Sequence, residues 1–369
     1  MNQNQQQFRP VDTDRPVESA PVGTGTGAGQ DLPREVRVGV IGVGQMGADH
    51  VARISARIKG ARISVVTDYF QDKAQELADS VPGCRVVATA EELIAAEDVD
   101  AVLIASPGKF HKDQAIACIE ARKPVLCEKP LAMNPQDAYA VVEAEKASGG
   151  RYVSVGFMRR FDAEYAELKD AIDSGELGQI SVINCKHRNA TTLPGFVDSM
   201  MVYDSAVHEI DAIHYFLDEQ VTEVQAVLPL PGPRADEGQH DPMLLLFRTE
   251  SGRIVTDELY VNTDSGYEVR TEVLGSEGIS TIGMGITRVT TQKAGGSWGG
   301  AIPVDFRPRF VAAYDAEVQA WVAAVLDGSN VAERSATAWD GYLAAATCEA
   351  AETALTTPGF VPVSVQPRP

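Results

Sequence analysis

The amino-acid sequence predicts an α/β protein with two sheets, a parallel one in the first half of the chain and an open, mostly antiparallel one in the second. From Val36 to Phe157, short apolar stretches such as VRVGVIGV alternate with helical segments such as QDKAQELADSV. Polar and apolar residues do not alternate along these stretches, which is typical of strands that helices cover on both faces. Beyond Phe157, strand-like stretches such as PMLLLFRTE and GRIVTDELYVN follow one another through short turns that contain glycine, and this pattern predicts antiparallel hairpins.

A glycine-rich sequence, GVGQMG, joins the first strand to its helix, with glycines at positions 42, 44 and 47. In such a turn the first glycine allows a tight bend, and the second lets the backbone approach a pyrophosphate. The third lets the helix pack closely on the strand, and phosphate oxygens then lie at the positive end of the helix. The segment therefore predicts a dinucleotide-binding Rossmann domain.

Asp68 ends the second strand, 21 residues after Gly47. An acidic side chain at this point accepts hydrogen bonds from the adenosine ribose hydroxyls. Because a carboxylate repels a 2′-phosphate, the sequence favours NAD over NADP as the cofactor. The alternative is that Asp68 caps the next helix.

Composition and patterning divide the chain into three parts. Residues 1–34 are rich in Gln, Pro, Gly and Thr and lack apolar periodicity, so we predict a disordered tail. Residues 35–157 form the predicted NAD-binding Rossmann domain, and residues 158–357 form a second α/β domain. The latter ends in two helical segments, which leaves room for a C-terminal helix that packs back on the Rossmann domain.

Charge, hydropathy and cysteine content argue against several classes of partner and site. The formal net charge is −20, and so acidic a surface repels nucleic acid backbones and anionic lipid heads. No apolar run approaches the roughly 20 residues needed to span a bilayer, and the first residues lack the apolar centre of a secretory signal, so we expect a cytoplasmic protein. Its five cysteines form no CxxC pair, and we predict neither disulfides nor a metal site.

Two groups of polar residues are candidates for catalysis. Lys129, in the sequence EKP, follows an apolar strand at the edge of the sheet where α/β proteins bind ligands. Asp204, His208 and Asp211 are separated by steps of four and three, which places them on one face of a helix. Neutral imidazole is suited to accept an alcohol proton near neutral pH, and a neighbouring carboxylate stabilises the imidazolium that forms. The alternative is that both groups are solvated surface charges.

Five motifs, GVGQMGADH, VLIASPGKFH, CEKPLA, VGFMRRFD and DSAVHEID, occur in this order between Val36 and Leu355. Together they resemble the Gfo/Idh/MocA oxidoreductases, which join an N-terminal Rossmann domain to a C-terminal α/β domain with an open antiparallel sheet. The resemblance implies that the second domain binds substrate and forms oligomers, so we expect a homo-oligomer, a dimer or a tetramer. It also implies a cis peptide bond between Lys129 and Pro130.

The resemblance implies roles for individual residues. Lys129, Asp204 and His208 are expected to be catalytic, with Asp204 orienting the imidazole of His208. The residues expected to bind the cofactor are Gly42, Gly44, Gln45, Met46, Gly47, Asp68, Ser106, Pro107, His111, Glu128 and Lys129. The residues expected to bind the substrate are Lys129, His187, Asn189, Asp204, His208, Asp211 and Tyr267.

The phrases FMRRFD, DSAVHEID, GYEVRTEVLG and AWDGY resemble the branch of this family that oxidises cyclic polyols. They imply NAD-dependent oxidation of a ring secondary alcohol, with myo-inositol giving 2-keto-myo-inositol (scyllo-inosose), His208 as the base and Lys129 assisting. Met200, Met201 and Tyr203 lie where members vary with their substrate. The alternatives are therefore another cyclitol, such as scyllo- or chiro-inositol, a pyranose sugar, or a non-catalytic regulatory protein that binds NAD(H).

Overall fold

The computed structural model describes residues 35–263, 265–284, 303 and 305–369. The predicted tail, residues 1–34, lies outside the described residues. Residues 33–369 form one unit by their contacts, so the two sheets are parts of the same body, and the boundary at residue 157 stays a prediction.

The first sheet has seven strands, of which all but one run parallel. Their order across the sheet is β13-β6-β5-β4-β1-β2-β3, with β13 antiparallel to β6. Apart from Arg37 in β1, its central strands are buried along their length because helices cover both faces. The strands are β1 (Val36–Ile41), β2 (Ala61–Thr67), β3 (Arg85–Val86), β4 (Ala101–Ile104), β5 (Val125–Glu128), β6 (Val153–Gly156) and β13 (Ala336–Thr337).

Helices connect these strands where the sequence predicts them. Local caps define their ends: Asn134 accepts a hydrogen bond from the backbone N–H of Asp137 at the start of α5, which has Pro135 in its first turn. The helices of this half are α1 (Gln45–Arg57), α2 (Gln71–Asp79), α3 (Ala90–Ala95), α4 (His111–Glu120) and α5 (Pro135–Ser148).

The second sheet also has seven strands, in the order β12-β11-β7-β10-β9-β8-β14. All neighbours are antiparallel except β7 and β10. Burial alternates along its strands, so one face packs in the core and the other is left open. The strands are β7 (Ile180–Arg188), β8 (Val221–Val227), β9 (Met243–Thr249), β10 (Ile254–Tyr260), β11 (Glu268–Gly275), β12 (Ile279–Ile282) and β14 (Val361–Pro362).

The helices of the second half are α6 (Ala163–Asp173), α7 (Asp198–Met200), α8 (Val207–Leu217), α9 (Arg307–Asp327) and α10 (Ala338–Ala354). A π-helical segment, Met201–Ala206, leads directly into α8. The last two helices pack back on the first sheet: Trp321 of α9 is buried in the cluster that contains β1 and α1, and α10 packs on α5. A capping box formed by Thr337 and Asp340 starts α10.

The predicted fold class, an α/β protein with a parallel sheet followed by an open, mostly antiparallel one, is confirmed. None of the helices in the described ranges combines the length and the apolarity that crossing a bilayer requires.

Candidate active site

The glycine loop has the geometry that a pyrophosphate requires. Gly42 adopts a φ of +90°, and a Cβ added to it would lie 2.6 Å from the backbone nitrogen of Ser106. A Cβ on Gly47 would lie 1.9 Å from the carbonyl oxygen of Gly42, so helix α1 can pack this closely only with glycine there. A Cβ on Gly44 would meet open space. The loop therefore leaves room for phosphate at the N-terminus of α1, and these residues fit NAD.

Asp68 is held firmly at the end of β2. Its Oδ2 accepts a hydrogen bond from the backbone N–H of Val43 at 2.7 Å, and its Oδ1 accepts one from Phe70 at 2.8 Å. Phe70, and not Asp68, is the N-cap residue of α2. Each carboxylate oxygen keeps a second lone pair, so the carboxylate is oriented by the glycine loop and can still accept hydrogen bonds from ribose hydroxyls.

The residues expected at the cofactor differ in exposure, and the carboxylate of Glu128 contacts another side chain of the protein. Gln45 and Pro107 are exposed and Met46 is half-buried, whereas Glu128 is buried and its Oε1 lies 2.7 Å from His50 Nε2. The carboxylate of Glu128 therefore contacts helix α1 and ties the end of β5 to that helix. Burial raises the pKa of Glu128, but the hydrogen bond and charge of His50 outweigh it, so this pKa lies below its usual value.

Lys129 bridges the two halves of the molecule. Its Nζ donates to Asp204 Oδ1 at 2.7 Å and to the backbone oxygen of Asp204 at 3.0 Å. The charge of Lys129 lowers the pKa of Asp204, so this carboxyl is ionised at neutral pH. The side chain of Asp204 keeps 62% of its surface accessible, which places the pair at an open cleft. The peptide bond between Lys129 and Pro130 is cis, as expected.

His208 lies beside this pair on α8 and is buried. Burial lowers its pKa well below the usual 6.5, and the positive charges of Arg159 and Lys129 lower it further. Its ring lies 6.4 Å from that of His187, centre to centre. His208 is therefore a neutral imidazole at neutral pH, which is the form that can accept a proton.

The structure corrects the role expected for Asp204. Its carboxylate pairs with Lys129, and in the described part of the chain it makes no hydrogen bond to His208, whose Nδ1 has no partner there. Asp204 lies in the π-helical segment and His208 in α8, so they do not share the continuous α-helical face that their spacing suggests. Asp204 orients the lysine and not the imidazole.

Asp211 also lies elsewhere than expected. Arg160 donates hydrogen bonds to both of its carboxylate oxygens, from Nη2 to Oδ1 at 2.7 Å and from Nε to Oδ2 at 3.0 Å. Arg160 also lies 3.2 Å from Asp340 of α10. Asp211 is 1% exposed, so it anchors α8 to its neighbours, and its carboxylate is not available to a substrate.

A second buried network, which the sequence analysis missed, holds His187. His187 Nδ1 lies 3.0 Å from Glu209 Oε2, and Glu209 also pairs with Arg159. Burial raises the pKa of Glu209, but the charge of Arg159 prevails and lowers it to about 2. The carboxylate of Glu209 therefore holds the ring of His187 through its Nδ1, and Arg159 Nη2 lies 3.3 Å from the same nitrogen. The sequence did contain a signal for this network, because Arg159 lies in the motif FMRRFD and Glu209 in the motif DSAVHEID.

The remaining expected substrate residues lie near His187. The ring of Tyr267 packs edge-on against that of His187 at 6.0 Å, and Asn189 follows His187 at the end of β7, half-buried. The structure thus brings together Lys129, Asp204, His208, His187 and Tyr267 through direct or shared contacts. Among the residues with described coordinates, no three His, Cys, Asp or Glu side chains are grouped as metal ligands.

Comparisons with known proteins agree with this geometry. Residues 36–157 match the model of an oxidoreductase family with an NAD-binding Rossmann fold, and residues 165–281 match the GFO/IDH/MocA C-terminal domain. Inositol 2-dehydrogenase from Mycolicibacterium smegmatis is 49% identical over 336 residues, which cover 90% of this chain and 96% of that protein. The same enzyme from Rhodococcus erythropolis is 48% identical over 326 residues, or 88% and 94% of the two chains.

A solved structure of similar fold is that of myo-inositol dehydrogenase from Lactobacillus casei in complex with NAD(H) and myo-inositol. The TM-score is 0.87 at 30% identity, and the match covers 91% of this chain and 98% of that one. Apo scyllo-inositol dehydrogenase from the same organism has a TM-score of 0.83 at 25% identity, covering 90% and 99%. With both domains matched and relatives of 48–49% identity over most of its length, the chain belongs to the Gfo/Idh/MocA family and is an NAD-dependent dehydrogenase.

Proposed function

We propose that this enzyme oxidises a ring secondary alcohol of a cyclic polyol, with myo-inositol as substrate and 2-keto-myo-inositol as product. The observation that carries the proposal is the ammonium group of Lys129, fixed 2.7 Å from Asp204 beside the neutral imidazole of His208. The names of the relatives and the ligands of the Lactobacillus casei structure support a cyclitol as substrate. The same residues argue against a non-catalytic NAD(H)-binding protein, because simple binding needs no proton acceptor beside a lysine.

In the proposed mechanism His208 accepts the proton of the alcohol, and NAD⁺, when bound, would be the acceptor of the hydride. Lys129 donates a hydrogen bond to the same oxygen and stabilises the negative charge that develops on it. Asp204 holds the ammonium in place, which limits its motion during the reaction. Because an ammonium has three N–H donors, Lys129 can bind the substrate oxygen while it keeps its hydrogen bond to Asp204.

The second domain supplies specificity for the ring. Glu209 holds the ring of His187 through Nδ1, and Tyr267 packs on the same ring. Several such groups aligned with adjacent hydroxyls discriminate between epimers, because a misplaced hydroxyl leaves a buried group without its hydrogen bond. This arrangement supports a polyhydroxylated ring over a simple alcohol.

We also propose that the enzyme is a cytoplasmic homo-oligomer. All five cysteines are free thiols, which suits a reducing compartment. The open face of the second sheet carries paired charges of both signs, such as Arg188 with Glu258 and Glu268, and half-buried apolar residues such as Leu246. A face with mixed charges and apolar residues is suited to pair with a second copy of itself.

The proposed function predicts a ranking of substrates and a loss of turnover in two variants. In a panel that also contains scyllo-inositol, chiro-inositol and aldopyranoses, myo-inositol is expected to give the highest kcat/KM with NAD⁺, measured by the absorbance of the NADH formed.

His208→Gln and Lys129→Ala are expected to fold normally but to lose roughly 10²- to 10⁴-fold in kcat, the scale of a proton-transfer group. The matched control is His240→Gln, because His240 is a histidine of a surface loop that pairs with Asp198. NADH binding without turnover of any polyol would refute the proposal.

The low pKa of His208 predicts the pH dependence of oxidation. Since the base acts in its neutral form and its pKa lies well below 6.5, His208 is fully active throughout the neutral range. The value of kcat for myo-inositol oxidation is expected to be flat between pH 6.5 and 8 and to fall only at lower pH. An inflection within the neutral range that disappears in His208→Gln would contradict this assignment.

Asp68 is predicted to set the preference for NAD. Asp68→Ser removes the carboxylate that repels a 2′-phosphate and the acceptor for Val43 and Phe70. The KM for NAD⁺ is expected to rise about tenfold and the ratio of kcat/KM between NAD⁺ and NADP⁺ to fall. Asp72→Ser, in the first turn of α2, is the control. An unchanged ratio in Asp68→Ser would show that another residue selects the cofactor.

The proposed interface is tested by a charge placed on the open sheet face. Leu246→Asp is expected to convert the oligomer to smaller species in sedimentation velocity, because a buried unpaired carboxylate opposes association. Glu97→Lys, on the first domain, is the control and is expected to keep the wild-type sedimentation coefficient. A Leu246→Asp protein that keeps the wild-type size would place the interface elsewhere.

A further inference from the structure

A buried chain of hydrogen bonds runs from helix α1 to the turn that carries Lys129. His50 of α1 is 1% exposed, and its Nε2 lies 2.7 Å from Oε1 of Glu128, the residue before Lys129. Its Nδ1 lies 3.1 Å from Nη1 of Arg53, one turn further along the helix. Because a guanidinium group only donates hydrogen bonds, Nδ1 of His50 accepts this one and Nε2 donates to Glu128. The chain therefore runs from Arg53 through His50 to the carboxylate of Glu128.

The guanidinium group of Arg53 is fixed at its other two nitrogens. Arg53 is 2% exposed, and its Nε donates to Oδ1 of Asp315 on α9 at 2.9 Å, while Nη2 donates to Oδ2 of Asp49 at 2.7 Å. The group also lies over the ring of Tyr314, 4.9 Å from its centre, and that ring packs edge-on against His50. Each nitrogen of Arg53 thus has a partner, so helix α9 fixes the position of Arg53 and, through it, that of His50.

The carboxylate of Glu128 connects this chain to the backbone of Lys129. Its Oε2 accepts a hydrogen bond from the backbone N–H of Lys129 at 3.3 Å, while its Oε1 binds His50. Space for the carboxylate depends on Gly156 of the neighbouring strand β6, where a Cβ would lie 3.2 Å from Oε2. One carboxylate therefore joins the imidazole of α1 to the peptide nitrogen of the lysine.

A second buried carboxyl group in this region does not take over the charge of Glu128. Glu317 of α9 is 1% exposed. Burial raises the pKa of Glu317 well above its usual value, and the charge of Glu128 raises it further. The pKa of Glu128 lies below its usual value, so the negative charge stays on the carboxylate that contacts His50 and Lys129.

Lys129 is thus held from two directions. Its Nζ donates to Asp204 at 2.7 Å, and its backbone is bound by the chain that ends at Asp315. We infer that His50 is a positioning residue that, held by Arg53, keeps Lys129 in place for the reaction. The inference rests on the proposed role of Lys129 and extends it to groups inside helix α1, the helix whose N-terminus carries the glycine loop.

The role of His50 is tested with two variants that differ in hydrogen bonding. His50→Gln keeps a donor for Glu128 and an acceptor for Arg53, whereas His50→Leu keeps neither. With the polyol that the wild type oxidises fastest, His50→Leu is expected to lose about 10²-fold in kcat, the cost of a misplaced catalytic group, and His50→Gln to stay within about fivefold of wild type. The KM for NAD⁺ is expected to change less than about threefold in both, because the glycine loop keeps its geometry. Wild-type kcat in His50→Leu, or equal losses in the two variants, would overturn the role.

The two arginines of α1 provide a matched pair, because Arg53 and Arg57 both bind Asp315 and, of the two, Arg53 binds His50. Arg53→Lys keeps a positive charge beside Asp49 and Asp315 but lacks the planar group that also reaches Nδ1, and it is expected to lose about tenfold in kcat. Arg57→Lys is expected to stay within about twofold of wild type. Equal effects would show that the arginines only pack α1 on α9 and would overturn the inference. This pair decides the question if His50→Leu does not fold.

The position of the lysine is measured without any substrate in a crystal structure of His50→Leu, or of Arg53→Lys, with NADH bound. Nζ of Lys129 is expected to lie more than about 3.5 Å from Oδ1 of Asp204, outside hydrogen-bond distance. A contact of wild-type length would overturn the inference. A wild-type enzyme that oxidises no polyol would refute the proposed function instead, and a displaced lysine in the variant would still support the positioning role of His50.

Discussion

The site depends on one ion pair between the two halves of the chain, in which Lys129 of the Rossmann half donates to Asp204 of the second half. A lysine side chain has many rotamers, and an exposed pair alone contributes at most about 1 kcal/mol. The value of this pair is therefore geometric: it fixes the ammonium next to the neutral His208. The backbone oxygen of Asp204 adds a second acceptor, so the π-helical segment itself helps to hold the lysine.

Buried ion pairs beneath the site hold its second half in place. Arg159 with Glu209 and Arg160 with Asp211 join the turn after β6 to helix α8, and all four side chains are at most 9% exposed. Such pairs gain little net stability, but removal of one partner typically costs about 3–5 kcal/mol because a buried charge is left uncompensated. They therefore act as fixed points: Glu209 also holds the ring of His187, and Arg160 ties α8 to α10 through Asp340.

The sequence predicted most of the fold and the NAD cofactor, because these follow from local patterns. The glycine spacing, the acidic residue after β2 and the alternation of strands and helices are short-range signals. The substrate half was harder to predict. The partner of Asp204 lies 75 residues earlier in the chain, and that of Asp211 lies 51 residues earlier, so helical spacing alone could not show which carboxylate orients a catalytic group and which anchors a helix.

The central claim, that Lys129 and His208 act on one alcohol oxygen, is tested most directly by a crystal structure of the full chain with NADH and myo-inositol. We expect one hydroxyl oxygen of the inositol within about 2.6–3.2 Å of both Lys129 Nζ and the Nε2 of His208, with the carbon that bears it facing the nicotinamide. An inositol ring bound with its reactive carbon away from both side chains, or held by Asp211 instead, would contradict the account.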